Sequence, residues 1–360
     1  MKDGMDRREF LGTAALAALT VPVVLQGSVK SAKADNDSQK ANKGGARSMK
    51  RICIEEHWGS PVESMSAGPP FDVNTIGTPL RRLKDIEQER LPLMNESGIT
   101  IQVLNAGYPR YNGKGDPNAI IATIAKINDS LAETVRKHPD RFAAFAALPT
   151  WDPKASADEL KRAVTQLGFK GALIAGRTAN GEYYDQQKYW VLWERAEELG
   201  VPIYLHPGEP SPDFPGHPEL KGPIWSWGVE TAIHALQIIG SGVFDAFPKT
   251  TLILGHLGES LPYLLGRLDE GYVMSHKPVK LKKLYSQYVK DNIAITTSGK
   301  YRPEALICAI AALGADRVLF SIDYPWVTIK DGLACFENTP MTDSDREKIA
   351  HLNAERLLKM

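Results

Sequence analysis

A rhythm constrains this chain more than any single motif does. Short apolar runs recur between helical segments, and several of them stop on a group able to bind a metal. The first is Arg51-Ile-Cys-Ile-Glu-Glu-His57. Ile52, Cys53 and Ile54 read as a buried strand, and side chains alternate faces along a strand, so Glu55 and His57 share one side at its carboxyl end. Taken alone, such a pair is an ordinary hydrogen-bonded acid and imidazole. Three later runs change its meaning. Val201-Pro-Ile-Tyr-Leu-His206, Thr251-Leu-Ile-Leu-Gly-His256 and Arg317-Val-Leu-Phe-Ser-Ile-Asp323 end the same way, a regularity that independent core histidines would not keep.

Further strands are predicted at Thr100 to Asn105, Arg141 to Leu148, Lys170 to Ala175 and Asn292 to Thr297. Helical spacing follows most strands. One helix is expected from Leu80 to Met94 with a kink at Pro92, and another from Pro117 to His138, where proline suits the first turn. Others are expected over Ser156 to Leu167, Tyr189 to Leu199, Trp225 to Ile239, Glu259 to Tyr272 and Pro303 to Leu313. Eight strands alternating with helices predict a (β/α)8 TIM barrel over residues 51–360, with its active face built from the loops after the strands. An open doubly wound sheet is the alternative. It would not bring the ends of the first, fifth, sixth and eighth strands to one point. No Gly-rich nucleotide loop and no internal repeat argues against closure.

The chain of 360 residues balances 43 acidic against 43 basic groups, so nothing points to a nucleic-acid partner. No internal apolar run reaches the length of a membrane span. The first residues differ in kind. Asp6-Arg-Arg-Glu-Phe-Leu11, a mildly apolar run to Leu25 and Ala32-Lys-Ala34 have the layout of a twin-arginine export signal over residues 1–34. A flexible leader over residues 35–49 is expected after it. Removal of residues 1–34 would take away five basic and three acidic residues, leaving 38 against 40, and the protein would be periplasmic, with no membrane contact after cleavage. Cys53, Cys308 and Cys335 are odd in number and lie in apolar segments, so they read as buried hydrophobes and not as a disulfide framework.

Glu55, His57, His206 and Asp323 offer two carboxylates and two imidazoles, a set suited to one Zn²⁺ or Mn²⁺ with a position left open. A second ion would want a bridging group at the end of the fourth strand, which reads Ala175-Gly176-Arg177. His256 needs a partner to fix its tautomer. Glu259, Tyr263 and Arg267 are expected on one helix face, so Glu259 and Arg267 would form a polar chain behind it. The plainer alternative is a helix-favouring N-terminal acid and a solvated arginine. Trp225, Trp227 and Trp326 are candidates for the walls of a substrate pocket, and Asn105 and Arg267 for further substrate contacts. His234 reads as a packing residue, His138, His276 and His351 as surface or helix-end positions, and His217 as a weaker candidate for the site.

Read in order, Ile54-Glu-Glu-His57, Tyr204-Leu-His-Pro207, Gly216-His-Pro to Trp225, Glu230-Thr-Ala-Ile-His-Ala-Leu236, Leu254-Gly-His-Leu-Gly-Glu-Ser-Leu-Pro-Tyr263, Ile295-Thr-Thr-Ser-Gly299 and Gly314 to Asp323 resemble the amidohydrolase-related decarboxylases. That group includes γ-resorcylate and 2,3-dihydroxybenzoate decarboxylases and, more distantly, aminocarboxymuconate-semialdehyde decarboxylase. The resemblance implies a barrel of the metal-dependent hydrolase type and one divalent ion on Glu55, His57, His206 and Asp323. It also implies His256 and Glu259 beside the ion, a small carboxylic acid substrate, no organic cofactor and a homo-oligomer. An acid at the position of Asp323 would protonate the ring carbon that bears the carboxylate, or His256 would supply or relay the proton instead. The sequence departs from the family pattern at Gly208-Glu209, where Arg-Asn is usual, and at Tyr324-Pro-Trp326, where Trp-Pro-Phe is usual. An export signal is unusual in such enzymes. A hydrolase of a lactone or amide that uses metal-activated water, with Asp323 as base, is the alternative reading, and an exported metal-binding protein without turnover is a third.

Overall fold

The computed structural model describes residues 49–62, 81–107, 115–178, 181–276, 280–299 and 301–360. The expected export signal and nearly all of the leader lie outside these residues. Among the described residues, no helix is long and apolar enough to cross a membrane.

Eight parallel strands stand in chain order: β1 (Ile52–His57), β2 (Ile101–Asn105), β3 (Phe142–Ala147), β4 (Ala172–Ala175), β5 (Ile203–His206), β6 (Leu252–Leu254), β7 (Ile293–Thr296) and β8 (Val318–Leu319). Backbone bonds from Ile54 N to Phe320 O (3.2 Å), Asp323 N to Glu55 O (3.2 Å) and His57 N to Tyr324 O (2.8 Å) join the end of the chain to its first strand. The sheet is a (β/α)8 barrel, and the open-sheet alternative is set aside. Both faces of the strands are buried. Ile52, Ile54, Val103, Phe145, Tyr204 and Ile253 fill the barrel, while Cys53, Leu104, Ile174 and Leu205 pack outward against the helices.

Local chemistry sets several helix starts. Asp116 and Asp152 cap the helices Pro117–Lys137 and Pro153–Leu167, each with proline at the first position, where a missing N–H costs nothing. The helix expected over residues 80–94 is instead two, Arg81–Lys84 and Arg90–Glu96. The break comes before Pro92. Asp85 Oδ1 accepts from both Gln88 N and Glu89 N at 2.9 Å, a local bond set that competes with continued helix. Pro92 then falls in the first turn of the second helix and kinks nothing.

The strands β6 and β8 are shorter than the apolar runs that encode them. His256 and Asp323 therefore lie past the strand ends, both with left-handed backbone, φ 51° and 77°.

Candidate metal centre

Strict alternation would have placed Glu55 and His57 on the wrong side. Ile52 and Ile54 point into the barrel, so an unbroken strand would turn the next odd positions out toward the helices. The β1–β2 register shifts between Cys53 and Glu56. This bulge resets the phase, so that Glu55 reaches the inner-barrel residue Tyr204 and Glu56 faces outward to Gln102. Residue spacing alone carried no signal for the bulge.

Ligating atoms of Glu55, His57, His206 and Asp323 lie within 4.8 Å of one another at the carboxyl end of the barrel. Glu55 is fully buried and takes the Tyr204 hydroxyl on Oε2, while its Oε1 stands 3.0 Å from His206 Nε2 and 3.6 Å from His256 Nε2. His57 Nε2 is 2.9 Å from Asp323 Oδ1, and His256 Nε2 is 3.8 Å from Asp323 Oδ2. His206 Nδ1 donates to Pro207 O at 2.7 Å, which in the neutral ring leaves the Nε2 lone pair turned toward Glu55. Glu55 Oε1 is buried and accepts no well-formed hydrogen bond. Lone pairs gathered in a dry pocket are costly without a cation, and the four donors fit one divalent ion. Burial works to raise the Glu55 carboxyl, but His256, then His206 and His57, outweigh it and hold the group well below the usual carboxylate range. Gly255 makes the approach possible, because a Cβ there would meet the Tyr204 hydroxyl at 2.9 Å and Glu55 Oε2 at 3.0 Å.

His256 and Glu259 meet, though not by the expected helix. Residues 256–260 all have positive φ, in four non-glycine positions at about 1–2 kcal/mol each, so Glu259 precedes the helix Leu261–Met274 instead of opening it. The turn brings Glu259 Oε1 to 2.6 Å from His256 Nδ1, while Ser298 Oγ accepts from His256 N at 3.0 Å. Burial disfavours the His256 cation, yet Glu55, Glu259 and Asp323 hold its pKa well above the ordinary value. The predicted chain from Glu259 to Arg267 does not form. Tyr263 is 81% exposed, and Arg267 reaches into solvent to pair with Glu270 at 3.3 Å, because the helix starts two residues after Glu259 and presents another face. Tyr301 was missed. It is 37% exposed, its ring lies with that of His256 over Gly299, and partial loss of water pushes its phenol up to about 12.

The sequence model of the amidohydrolase family matches residues 58–360. The chain belongs to the amidohydrolase family. It is 42% identical over 324 residues to a γ-resorcylate decarboxylase of Polaromonas sp., covering 86% of this chain and 98% of that one. The crystal structure of 2,6-dihydroxybenzoate decarboxylase from Rhizobium superposes with a TM-score of 0.78 at 40% identity, over 86% of this chain and 99% of its own. A dihydroxybenzoic acid decarboxylase from Polaromonas sp., solved with bound manganese and the inhibitor 2-nitroresorcinol, gives 0.77 at 39% identity, over 86% and 97%.

Around this amidohydrolase centre the remaining predicted residues take different places. Trp326 is at the site, its ring 6.1 Å from that of His57. Asn105 pairs with His57 in register, but its side chain is committed to backbone, donating to Glu56 O at 3.2 Å and accepting from Gly107 N at 3.2 Å. Trp225 is 53% exposed, just before the helix Ser226–Gly240. The indole turned inward there is that of Trp227, which donates to Glu209 Oε1 at 3.0 Å. Glu209 also accepts from Ser211 N at 2.8 Å, so this anion is tied to its own loop. His217 is exposed beside Glu219. His234 is wholly buried, accepts from Tyr184 N at 3.0 Å and stacks on Tyr184. At the end of β4, Arg177 Nε pairs with Glu230 at 2.9 Å, and no carboxylate of β4 stands where a second ion would need one.

Proposed function

We infer that this chain is a metal-dependent, non-oxidative decarboxylase of a small hydroxylated aromatic acid. The observation that carries the inference is the buried Glu55/His57/His206/Asp323 set with the His256–Glu259 pair beside it. It is joined by similarity to decarboxylases over nearly their full length.

A divalent ion on those four side chains would supply a Lewis acid for the substrate carboxylate and its ortho hydroxyl. Asp323 delivers a proton to the ring carbon that bears the carboxylate, and aromaticity is lost. The C–C bond then breaks, its electron pair restores the ring and CO₂ leaves, so one proton enters for each CO₂ released. With a divalent ion bound, Asp323 would be a weaker proton carrier as a ligand than as a free acid, so its role as acid would call on a group able to resupply its proton. His256, held by Glu259 at Nδ1 and 3.8 Å from Asp323 Oδ2, is placed to reload it.

The names of the similar enzymes support 2,6-dihydroxybenzoate as the first acid to try, and the manganese of the Polaromonas enzyme supports Mn²⁺ over Zn²⁺. Metal-loaded protein offered a panel of ortho-hydroxybenzoates in D₂O should release CO₂ and leave deuterium at the vacated carbon. Chelation should abolish turnover and Mn²⁺ should restore it. Bound metal with no CO₂ from any acid would overturn the inference, and solvent ¹⁸O in the product would favour hydrolysis. We further propose export by the twin-arginine route, supported by Arg7-Arg8 and the apolar run after them. N-terminal sequencing of periplasmic material should begin near Asp35, and an intact Met1 would refute export.

A further inference from the structure

Directly behind the centre, outside the barrel wall, lies a second carboxylate that the chemistry above does not use. Glu56 is fully buried. Its Oε1 accepts from Ser321 Oγ and Ile322 N, both at 3.0 Å, and its Oε2 accepts from Tyr324 N at 3.1 Å and Gln102 Nε2 at 3.4 Å. The two backbone amides flank Asp323 on either side, in the turn where Asp323 holds φ 77°. The same buried layer reaches the other ligand strand. Arg90 donates to His57 O at 2.5 Å and to Gln102 Oε1 at 3.0 Å, and its guanidinium lies 4.6 Å from the Tyr324 ring centroid.

We propose that Glu56 is a positioning residue that clamps the amides of Ile322 and Tyr324 and so sets the left-handed turn presenting Asp323 to the metal and substrate. This rests on Asp323 being a ligand and acid of that centre. The physical need is specific. Asp tolerates the left-handed region better than most residues but does not prefer it, and β8 ends four residues earlier, at Leu319. One rigid group with two acceptor oxygens fixes both neighbours of Asp323 at once. A side chain with a single acceptor cannot, because its second end would face an N–H with another donor. The bulge in β1 is what aims Glu56 at this turn while Glu55 and His57 face the candidate metal site. One irregularity therefore serves both sides of the wall.

The test compares Glu56→Gln and Glu56→Asp with Gln102→Leu, all in the full chain. Gln is isosteric with Glu but sets a donor against one of the two amide clusters. Asp keeps the charge and is too short to span both. Gln102→Leu disturbs the same buried layer and leaves both amide bonds in place. Each variant is titrated with Mn²⁺, its EPR spectrum is recorded, and turnover of the acid accepted by the wild type is resolved into kcat and KM. The Glu56 variants should bind Mn²⁺ about 10–100-fold more weakly, with an altered EPR spectrum and a fall in kcat larger than any rise in KM. Gln102→Leu, which removes only the 3.4 Å donor to Glu56 Oε2 and neither amide, should weaken Mn²⁺ binding and change the spectrum less than either Glu56 variant even where it melts earlier. Folded Glu56 variants with wild-type affinity, spectrum and kcat would overturn the proposal. So would failure of both Glu56 variants to fold while Gln102→Leu folds, since Glu56 would then be a folding residue only. A wild type that binds Mn²⁺ but releases no CO₂ sinks the decarboxylase reading alone, because affinity and spectrum still judge Glu56.

Discussion

Glu55 and Glu56 are the same residue type at adjacent positions, both fully buried, yet they sit in opposite electrostatic surroundings. Glu55 faces three imidazoles, which overcome burial and hold it anionic, and one of its oxygens accepts no hydrogen bond. Glu56 faces amides, a hydroxyl and more distantly the Arg90 guanidinium; burial raises it above the usual carboxylate range, but every group at its two oxygens is a donor, so the geometry holds it as the carboxylate. Arg90 is itself lowered to about 10 by the same burial. Donors of neutral groups satisfy a carboxylate without fully offsetting the loss of water. The contrast separates the two jobs. The carboxylate left incompletely bonded is the one built for a cation, and the one with every oxygen occupied holds backbone.

Removing the acid of the inner side tests that division most severely. Asp323→Asn keeps a residue that tolerates φ 77° but has no proton to give. Turnover should fall about 10²–10⁴-fold while the barrel still folds, as measured by CO₂ release and circular dichroism. If the variant changed only metal affinity, the protein would be a binder without turnover.

Tyr204→Phe removes the hydroxyl on Glu55 Oε2 and keeps the ring in the barrel core. Metal affinity should drop about tenfold by competition with a chelator, with the fold unchanged. No change would mean that the histidines and the Thr296 hydroxyl suffice to orient Glu55.

A third buried group extends the comparison to an imidazole whose hydrogen bond comes from a backbone amide, that of Tyr184. Burial, then the Arg177 cation, lowers His234 to about 3 from the ordinary 6.5. It is therefore neutral in the folded protein while the unfolded chain takes up a proton below about pH 6.5. Stability should fall as pH drops from about 6.5 toward 3, at up to about 1.4 kcal/mol per pH unit for this one proton. His234→Gln retains an acceptor for Tyr184 N and should remove that one-proton slope in urea unfolding at stepped pH. An unaltered slope would place the acid sensitivity elsewhere.

Much of this was readable in residue order. Apolar runs specify the strands and their number, and the four that lead to Glu55 and His57, His206, His256 and Asp323 specify the donor chemistry, because period and residue type are local properties. Proline and aspartate at helix starts are equally local. The bulge in β1, the left-handed run at residues 256–260 and the split at Asp85 were not readable. Each depends on hydrogen bonds to distant segments or on side chains that compete with the regular backbone pattern. Arg267 shows the consequence, since a helix start displaced by two residues turned a predicted partner of Glu259 into solvent. The sequence by itself determined that this chain is a barrel carrying a metal-binding set. Only the tertiary structure decided which face of β1 bears the ligands and what holds Asp323 in place, because phase and turn geometry are set by the neighbouring strand and by Glu56, and not by spacing along the chain.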